Sequence, residues 1–183
     1  MDQKKVLLEK DGFVFAKLQS NNYEMSFTIE NKNIHLAKVV NFELFKLIYD
    51  LNPEIYESVH LEKTNNDEAI VTLVMKHFFE DIGIPQKYSY MHIKRSVHSN
   101  CITFDAEVIR STRPDNVPID AQLVAFSNVV CICQLETAHK INFTYNIQLD
   151  ENHVMPPFLE KFISNISNKI CKRVKQFIEN FTL

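Results

Sequence analysis

The clearest pattern in the chain is a stripe of apolar residues near the C-terminus. After Pro156 and Pro157, which suit a first helical turn, apolar residues recur at steps of three and four. This spacing predicts an amphipathic helix of about 25 residues, roughly 37 Å long at 1.5 Å per residue. A stripe of that length needs an equally long apolar partner. Its members are Leu159, Ile163, Ile166, Ile170, Val174, Phe177 and Phe181.

Alternating apolar and polar residues predict strands through most of the remaining chain. Residues 13–15 and 23–29 favour a hairpin, and residues 41–52 predict a short helix that ends at Pro53. Nearly all of the chain from there to residue 149 predicts an antiparallel meander, with residues 119–134 apolar on both faces. One face should be an apolar wall, formed by Ala69, Val71, Leu73, Met75, Phe79, Ile102, Phe104, Ala106, Val108, Ile141, Phe143, Tyr145, Ile147 and Leu149.

The wall is the only predicted surface long enough to cover the helical stripe. The fold class that follows is α+β, a helix-grip fold in which a curved antiparallel sheet wraps around a long C-terminal helix. The chain has 183 residues, two glycines and no low-complexity linker, so residues 1–183 are predicted to form a single domain.

Two sequence blocks resemble START lipid-transfer domains. FDAEVIRSTRPDNVP (residues 104–118) is similar to the family's strand and proline-bounded loop, and FTYNIQLDENHVMPPFLEKFI (143–163) to its last strand and lid helix. FELFKLIYDLNPEIYES (42–58) is weakly similar, with Tyr56 where the family usually carries tryptophan. Where the family often has an Arg-Asp pair, this chain has QKYS at residues 86–89. The resemblance implies a cavity for one phospholipid or sterol, carried or sensed, and leaves the lipid's identity open.

The candidate ligand contacts combine the apolar wall with a few polar groups. Arg110 lies where the family motif has its arginine, although it could instead reach water or a surface acid. Tyr88, Tyr90 and His92 share one strand face, which could line the cavity or be exposed. The predicted cavity residues are Phe104, Ala106, Val108, Arg110, Tyr88, Tyr90, His92, Phe143, Tyr145, Phe162, Ile166 and Ile170.

The last helix also carries a basic run that favours transient contact with an anionic membrane. Lys169, Lys172 and Arg173 are the predicted membrane contacts, although such runs are often only solvated faces. The same helix and the loop at residues 114–118 are expected to gate access to the cavity. With a net charge of -3, no nucleic-acid partner is expected, and the oligomeric state is left open.

The chain is predicted not to be an enzyme and to need no cofactor or metal. Two glycines exclude the glycine-rich phosphate and nucleophile motifs, and the seven histidines form no i,i+4 pair. The alternatives are a cavity enzyme using Tyr88, His92 or Asp105, and a protein-interaction module with a filled core and an exposed apolar patch. The N-terminal residues lack the apolar run of a signal peptide, so a cytoplasmic protein with reduced cysteines is predicted.

Overall fold

The structure is a computed structural model that describes residues 4–182. Residues Glu80–Ile82 form a 3-10 turn. The strands are β1 (Lys5–Lys10), β2 (Phe13–Gln19), β3 (Asn22–Glu30), β4 (Tyr56–Lys63), β5 (Glu68–Met75), β6 (Lys87–His98), β7 (Cys101–Val108), β8 (Gln122–Leu123), β9 (Phe126–Thr137) and β10 (Lys140–Leu149). The helices are α1 (Leu36–Val39), α2 (Phe42–Asp50) and α3 (Pro157–Glu179).

The ten strands form one sheet in the order β1-β2-β3-β10-β9-β7-β6-β5-β4, and β8 adds to β6. Every neighbouring pair along this order is antiparallel, and only the short β8 runs parallel to its partner. With α3 packed on the sheet, the fold is the predicted α+β helix grip. The prediction missed β1, and the strand expected at residues 119–134 is divided into β8 and β9.

Cross-strand register defines which side chains share a face of the sheet. Residues directly opposite one another in neighbouring strands point the same way, so a chain of such pairs crosses one face. We call the face that bears the main core the inner face. One row on it is Arg95, Phe104, Cys131, Tyr145, Met25 and Phe15. The next row is Ile93, Ala106, Val129, Ile147, Tyr23 and Lys17.

Helix α3 turns a different face to the core from the one predicted. Pro157 occupies its first turn, where the missing N–H costs no hydrogen bond. The buried row is rotated by about one residue, roughly 100°, from the predicted apolar stripe. Only Val174 belongs to both sets. The buried row consists of Glu160, Ser164, Asn168, Cys171, Val174 and Ile178.

The position of α3 is fixed by polar contacts on both of its sides. Its backbone comes closest to β1, β2, β3 and α2. On the β3 side, Lys175 donates a hydrogen bond of 2.7 Å to the carbonyl of Thr28, and Asn31 bonds the last turn of the helix. On the α2 side, Arg173 donates to Asn52 Oδ1 at 3.1 Å. Among residues 4–182, no helix is both long enough and apolar enough to cross a membrane.

Candidate functional site

The space between the inner face and α3 is packed unevenly. Toward the C-terminal half of α3, Val174 and Ile178 belong to the same close-packed core as Ile29 and Ile141. Several inner-face residues nearer the middle of the sheet are only half-buried, although they point into the molecule. This difference locates the candidate site opposite the β7, β9 and β10 strands. The half-buried residues are Met25, Val108, Val129, Tyr145 and Ile147.

Not all of the predicted cavity residues on the inner face have free surface. The ring of Phe104 meets Phe45 edge-on at 4.9 Å between centroids, and Phe143 stacks on Phe27 at 4.9 Å. Together with Ala106, these residues are closely packed core. Val108 and Tyr145 are the predicted residues that keep accessible surface here. Contact between any of them and a ligand stays a prediction.

Tyr88, Tyr90 and His92 do share a face of β6, but it is the outer face. Because Ile93 lies opposite Ala106, the odd-numbered residues of β6 point inward and these three point away. Tyr88 packs in a separate cluster beneath residues 114–122, with the Arg113 guanidinium 5.1 Å from its ring centre. These three side chains therefore do not face α3.

Residues 114–118 and Arg110 lie apart from the candidate site. Arg113 donates hydrogen bonds to the carbonyls of Ile119 and Ala121, which folds the loop onto the outer face. Arg110 lies two residues beyond Val108, the last residue of β7, so strand alternation no longer sets its direction. Its side chain is about half exposed and donates to Asp150 Oδ1 at 2.7 Å. Neither feature supports the expected roles in gating or head-group binding.

Tyr49, Tyr56 and Tyr145 lie on three different elements, and the first two are in contact. The rings of Tyr49 on α2 and Tyr56 on β4 meet edge-on at 5.0 Å. Burial, and then nearby thiols including Cys131 and Cys171, raises the pKa of Tyr145 well above its ordinary value. Burial followed by Cys171 raises the pKa of Tyr56, and burial followed by Tyr56 raises that of Tyr49. All three phenols are therefore neutral.

The hydroxyls of these three tyrosines are poorly hydrogen-bonded. None of them makes a hydrogen bond to a nitrogen or oxygen atom within residues 4–182. In the same part of the chain, the only side-chain polar atoms that are both fully covered and unpaired are Arg95 Nε and Asn168 Oδ1. The tyrosine hydroxyls are absent from this pair.

A buried carboxylate anchors the first turn of α3 over the inner face. Glu160 Oε1 accepts hydrogen bonds of 2.7 Å from both Tyr23 Oη and Lys17 Nζ. Burial opposes ionisation, but these two bonds outweigh it and bring the pKa of Glu160 below its usual value. Glu160 was not predicted at the site, because the apolar stripe was taken to define the buried face of α3. The small polar residues Ser164 and Asn168 at the following i+4 positions were the available signal.

An aromatic groove of about 450 Å³ lies on the far side of α3 from the core. Its floor includes Phe79, Phe158, Phe162 and Ile166, and Phe162 meets Phe79 edge-on at 4.5 Å. Phe162 and Ile166, predicted for the inner cavity, therefore line this groove. Ile170 is half-buried on α3 and lies outside the main core cluster.

The three predicted membrane-contacting cations are paired with acidic residues of the chain itself. Lys169 and Arg173 both bind Glu54, and Lys172 binds Asp11 at 2.8 Å. Solvent-exposed pairs of this kind are weak, so they do not prevent membrane contact. They do reduce the free positive charge that this side of α3 presents.

The sequence and the structure give different results when they are compared with known proteins. No protein-family model matches the sequence, and no curated protein matches it. The human StarD13 (DLC2) lipid transfer and protein localization domain superposes with a TM-score of 0.71 at 11% identity, covering 99% of this chain and 91% of that one.

Two further START structures show the same likeness. A STAR-related lipid transfer protein from Xanthomonas axonopodis gives a TM-score of 0.66 at 11% identity, over 95% of this chain and 97% of that one. Human StAR-related lipid transfer protein 5 gives 0.63 at 14% identity, over 96% and 88%. Identities this low show that the fold is shared and say nothing about the ligand. The chain therefore has the helix-grip fold of START domains.

Proposed function

We propose that this protein binds one lipid between the inner face and α3, for transfer or sensing, without catalysing a reaction. One observation carries the proposal: inner-face residues of β7, β9 and β10 are incompletely covered, while the backbone of α3 lies closest to β1, β2 and β3. An acyl chain of about 14 methylenes placed there would gain on the order of 10 kcal/mol before ordering costs.

The positions of the titratable groups favour binding over catalysis. Asp105 lies opposite Lys94 on the outer face, which is also where Tyr88 and His92 lie. The enzyme alternative had relied on these three residues. Tyr145 and the Cys171 thiol have raised pKa values, so both are protonated and are poor bases or nucleophiles.

The aromatic groove is the surface that we propose for transient membrane contact. Phe158 is 48% exposed, and Phe78, whose ring meets that of Phe162 at 5.1 Å, is 38% exposed. Lys161 lies at the rim of the groove. Exposed apolar side chains beside a lysine suit the boundary between lipid head groups and acyl chains. The groove is also adjacent to the anchored first turn of α3, where the helix would have to move to admit a lipid. We propose a cytoplasmic location, which four unpaired cysteines support.

Native mass spectrometry of the protein purified from cells, with uptake from liposomes, tests the proposal. Val129→Trp should fill the space below α3, remain folded and lose lipid uptake. Val130→Trp is the matched control, because the next residue of β9 points to the outer face and the same bulk there should leave uptake unchanged.

Absence of both co-purifying and transferable lipid from the unaltered protein would overturn the proposed function. Equal uptake by the two tryptophan variants would show that any lipid binds elsewhere. If the chain instead contains no lipid and binds another protein tightly at the aromatic groove, the protein-interaction alternative is favoured.

A further inference from the structure

A second groove lies at the opposite end of α3 from the aromatic groove. It has a volume of about 340 Å³ and opens between the end of α3 and the two short helices α1 and α2. Phe177 and Phe181 are 44% and 43% exposed there, and their ring centres are 6.4 Å apart. We call this the C-terminal groove. Its lining includes Ile34, Lys38, Val39, Leu47, Phe177 and Phe181.

Hydrogen bonds hold the walls of the C-terminal groove in place. Asn31 Nδ2 donates to the carbonyls of Ile178 and Phe181, which ties the segment after β3 to the end of α3. His139 Nδ1 donates to the carbonyl of Ile34 at 2.9 Å, since a carbonyl oxygen can only accept. A groove that is already shaped in the free protein loses little conformational entropy when a partner binds.

The shape of the C-terminal groove favours a segment of another protein over a membrane surface. The groove is more enclosed than the aromatic groove, and its apolar side chains border a concavity between helices. Membrane surfaces are bound by apolar side chains that project from a helix face. An amphipathic helix, in contrast, is recognised by placing side chains at i, i+3 and i+4 into an apolar groove. The groove is at the lower end of the size range of ligand pockets, which suits a few such side chains.

Two lysines give the C-terminal groove a positive border. Lys38 is exposed in the lining, and Lys32 is exposed in the turn that follows Asn31. Neither lysine forms an ion pair within residues 4–182. Among the described residues, no carboxylate lines the groove. Carboxylates of a partner would therefore meet unpaired cations here.

The acidic residues nearest this end of α3 already face cations of their own. Glu179 lies 3.4 Å from Lys175 Nζ and also accepts a hydrogen bond from the Glu30 N–H. Glu30 is directly opposite Lys140 on β10. These carboxylates therefore do not cancel the charge of the two lysines at the groove.

We propose that the C-terminal groove is a docking site for an acidic amphipathic helix of another protein. The apolar side chains of this helix pack against Phe177, Phe181 and Leu47, and its carboxylates lie beside Lys32 and Lys38. The groove is separate from the space below α3, so the inference goes beyond the proposed function and does not depend on lipid binding.

A library of displayed peptides of about 16 residues, long enough for several helical turns, tests the inference when it is selected against the full chain. Enriched peptides should combine Asp or Glu with large apolar residues at i, i+3 or i+4. Their affinities are then measured by fluorescence anisotropy. Phe177→Glu should weaken binding by about tenfold or more. Phe158→Glu is the matched control, because Phe158 is similarly exposed on the same helix but lies at the aromatic groove.

Charge reversal tests the two lysines separately from the apolar contacts. The double variant Lys32→Glu, Lys38→Glu should weaken binding of the selected peptides about tenfold and remove most of its salt dependence. The double variant Lys76→Glu, Lys161→Glu changes the net charge equally and should bind normally. Both control lysines are exposed, and Lys161 is at the aromatic groove. All four lysines are exposed, so thermal midpoints should stay close to that of the unaltered protein.

Three results would overturn the inference. The selection could yield no binder, or binders without acidic residues. The selected peptides could bind Phe177→Glu and the Lys32, Lys38 variant as tightly as the unaltered protein, which would place them elsewhere. Flotation with phosphatidylserine vesicles that is lost in Phe177→Glu, without any peptide binder, would instead assign the groove to a membrane surface.

Discussion

Tyr23 on β3 and Glu160 on α3 are joined by a buried hydrogen bond of 2.7 Å from the phenol to the carboxylate. The same carboxylate oxygen accepts a bond from Lys17 of β2. The first turn of α3 is therefore held over the sheet by a charge-assisted pair of bonds, while farther along the helix the buried contacts become apolar. The residue that starts the buried row of α3 is thus an acid, 7% exposed.

Removing this anchor should destabilise the protein measurably. Tyr23→Phe deletes one bond to a buried carboxylate, for which a loss of about 2 kcal/mol in the free energy of unfolding is expected. Urea unfolding measures it. Asp50→Asn is the matched control, because its ion pair with Lys46 is exposed and should contribute little to stability. Equal effects of the two variants would contradict the assigned role of the Tyr23 hydroxyl.

Stability should fall in acid through two carboxyls whose pKa values are lowered by folding. Burial tends to raise the pKa of Glu160, but the hydrogen bonds from Lys17 and Tyr23 outweigh it and lower that pKa. The hydrogen bond from Lys169 is the main cause that lowers the pKa of Glu54 to about 2. In the unfolded chain both carboxyls protonate near the ordinary value of 4.5. Unfolding below that pH therefore takes up protons, so this stability is complete above 4.5 and is lost toward pH 2.

The free energy of unfolding, measured in urea at a series of pH values, checks this prediction. Glu160→Gln should have a lower plateau near neutral pH and a shallower decline in acid. Glu54→Gln should change the curve less, since its carboxylate is 40% exposed and solvent screens it. A decline in acid that is unchanged by both substitutions would show that other groups cause it.

Strand alternation predicted which residues share a face, but not always which face is inner. For β7 and β10 the apolar set is unambiguous, and Phe104 and Phe143 lie on the inner face as expected. On β6 both sets contain apolar or aromatic residues, and choosing between Tyr88 and Ile93 requires the register with β7. The outer set is buried near Tyr88 only because a distant loop, carrying Val117, covers it.

The candidate site was less predictable than the fold because its groups converge through tertiary packing. Tyr145 was identified from the alternation of the last strand. Tyr49 and Tyr56 belong to a helix and an edge strand, and nothing in their sequence spacing predicts their ring contact. The rotation of α3 was hidden for a related reason. Its long apolar residues lie at the border of the core and in the aromatic groove, while Ser164 and Asn168 are buried.

The aromatic groove should govern membrane contact more than the predicted basic residues do. Phe158→Glu places a charge among exposed rings and should reduce flotation with anionic vesicles severalfold, with little effect on stability because Phe158 is 48% exposed. The combined variant Lys169→Gln, Lys172→Gln, Arg173→Gln should have a smaller effect, because each cation is already paired. If the triple glutamine variant loses more vesicle binding than Phe158→Glu does, the basic residues are the main membrane contact.

Asn168 should be a site where an apolar substitution stabilises the protein. Its Oδ1 atom is fully covered and has no partner within residues 4–182, so folding removes this group from water without compensation. Leucine has a similar size and shape and no polar atom, and Asn168→Leu is expected to raise the free energy of unfolding by about 1 kcal/mol. Asn165→Leu on the exposed side of the same helix is the control, with little gain expected. A loss of stability in Asn168→Leu alone would mean that a bound water or ligand satisfies the amide, and crystals of the lipid-loaded protein would identify which.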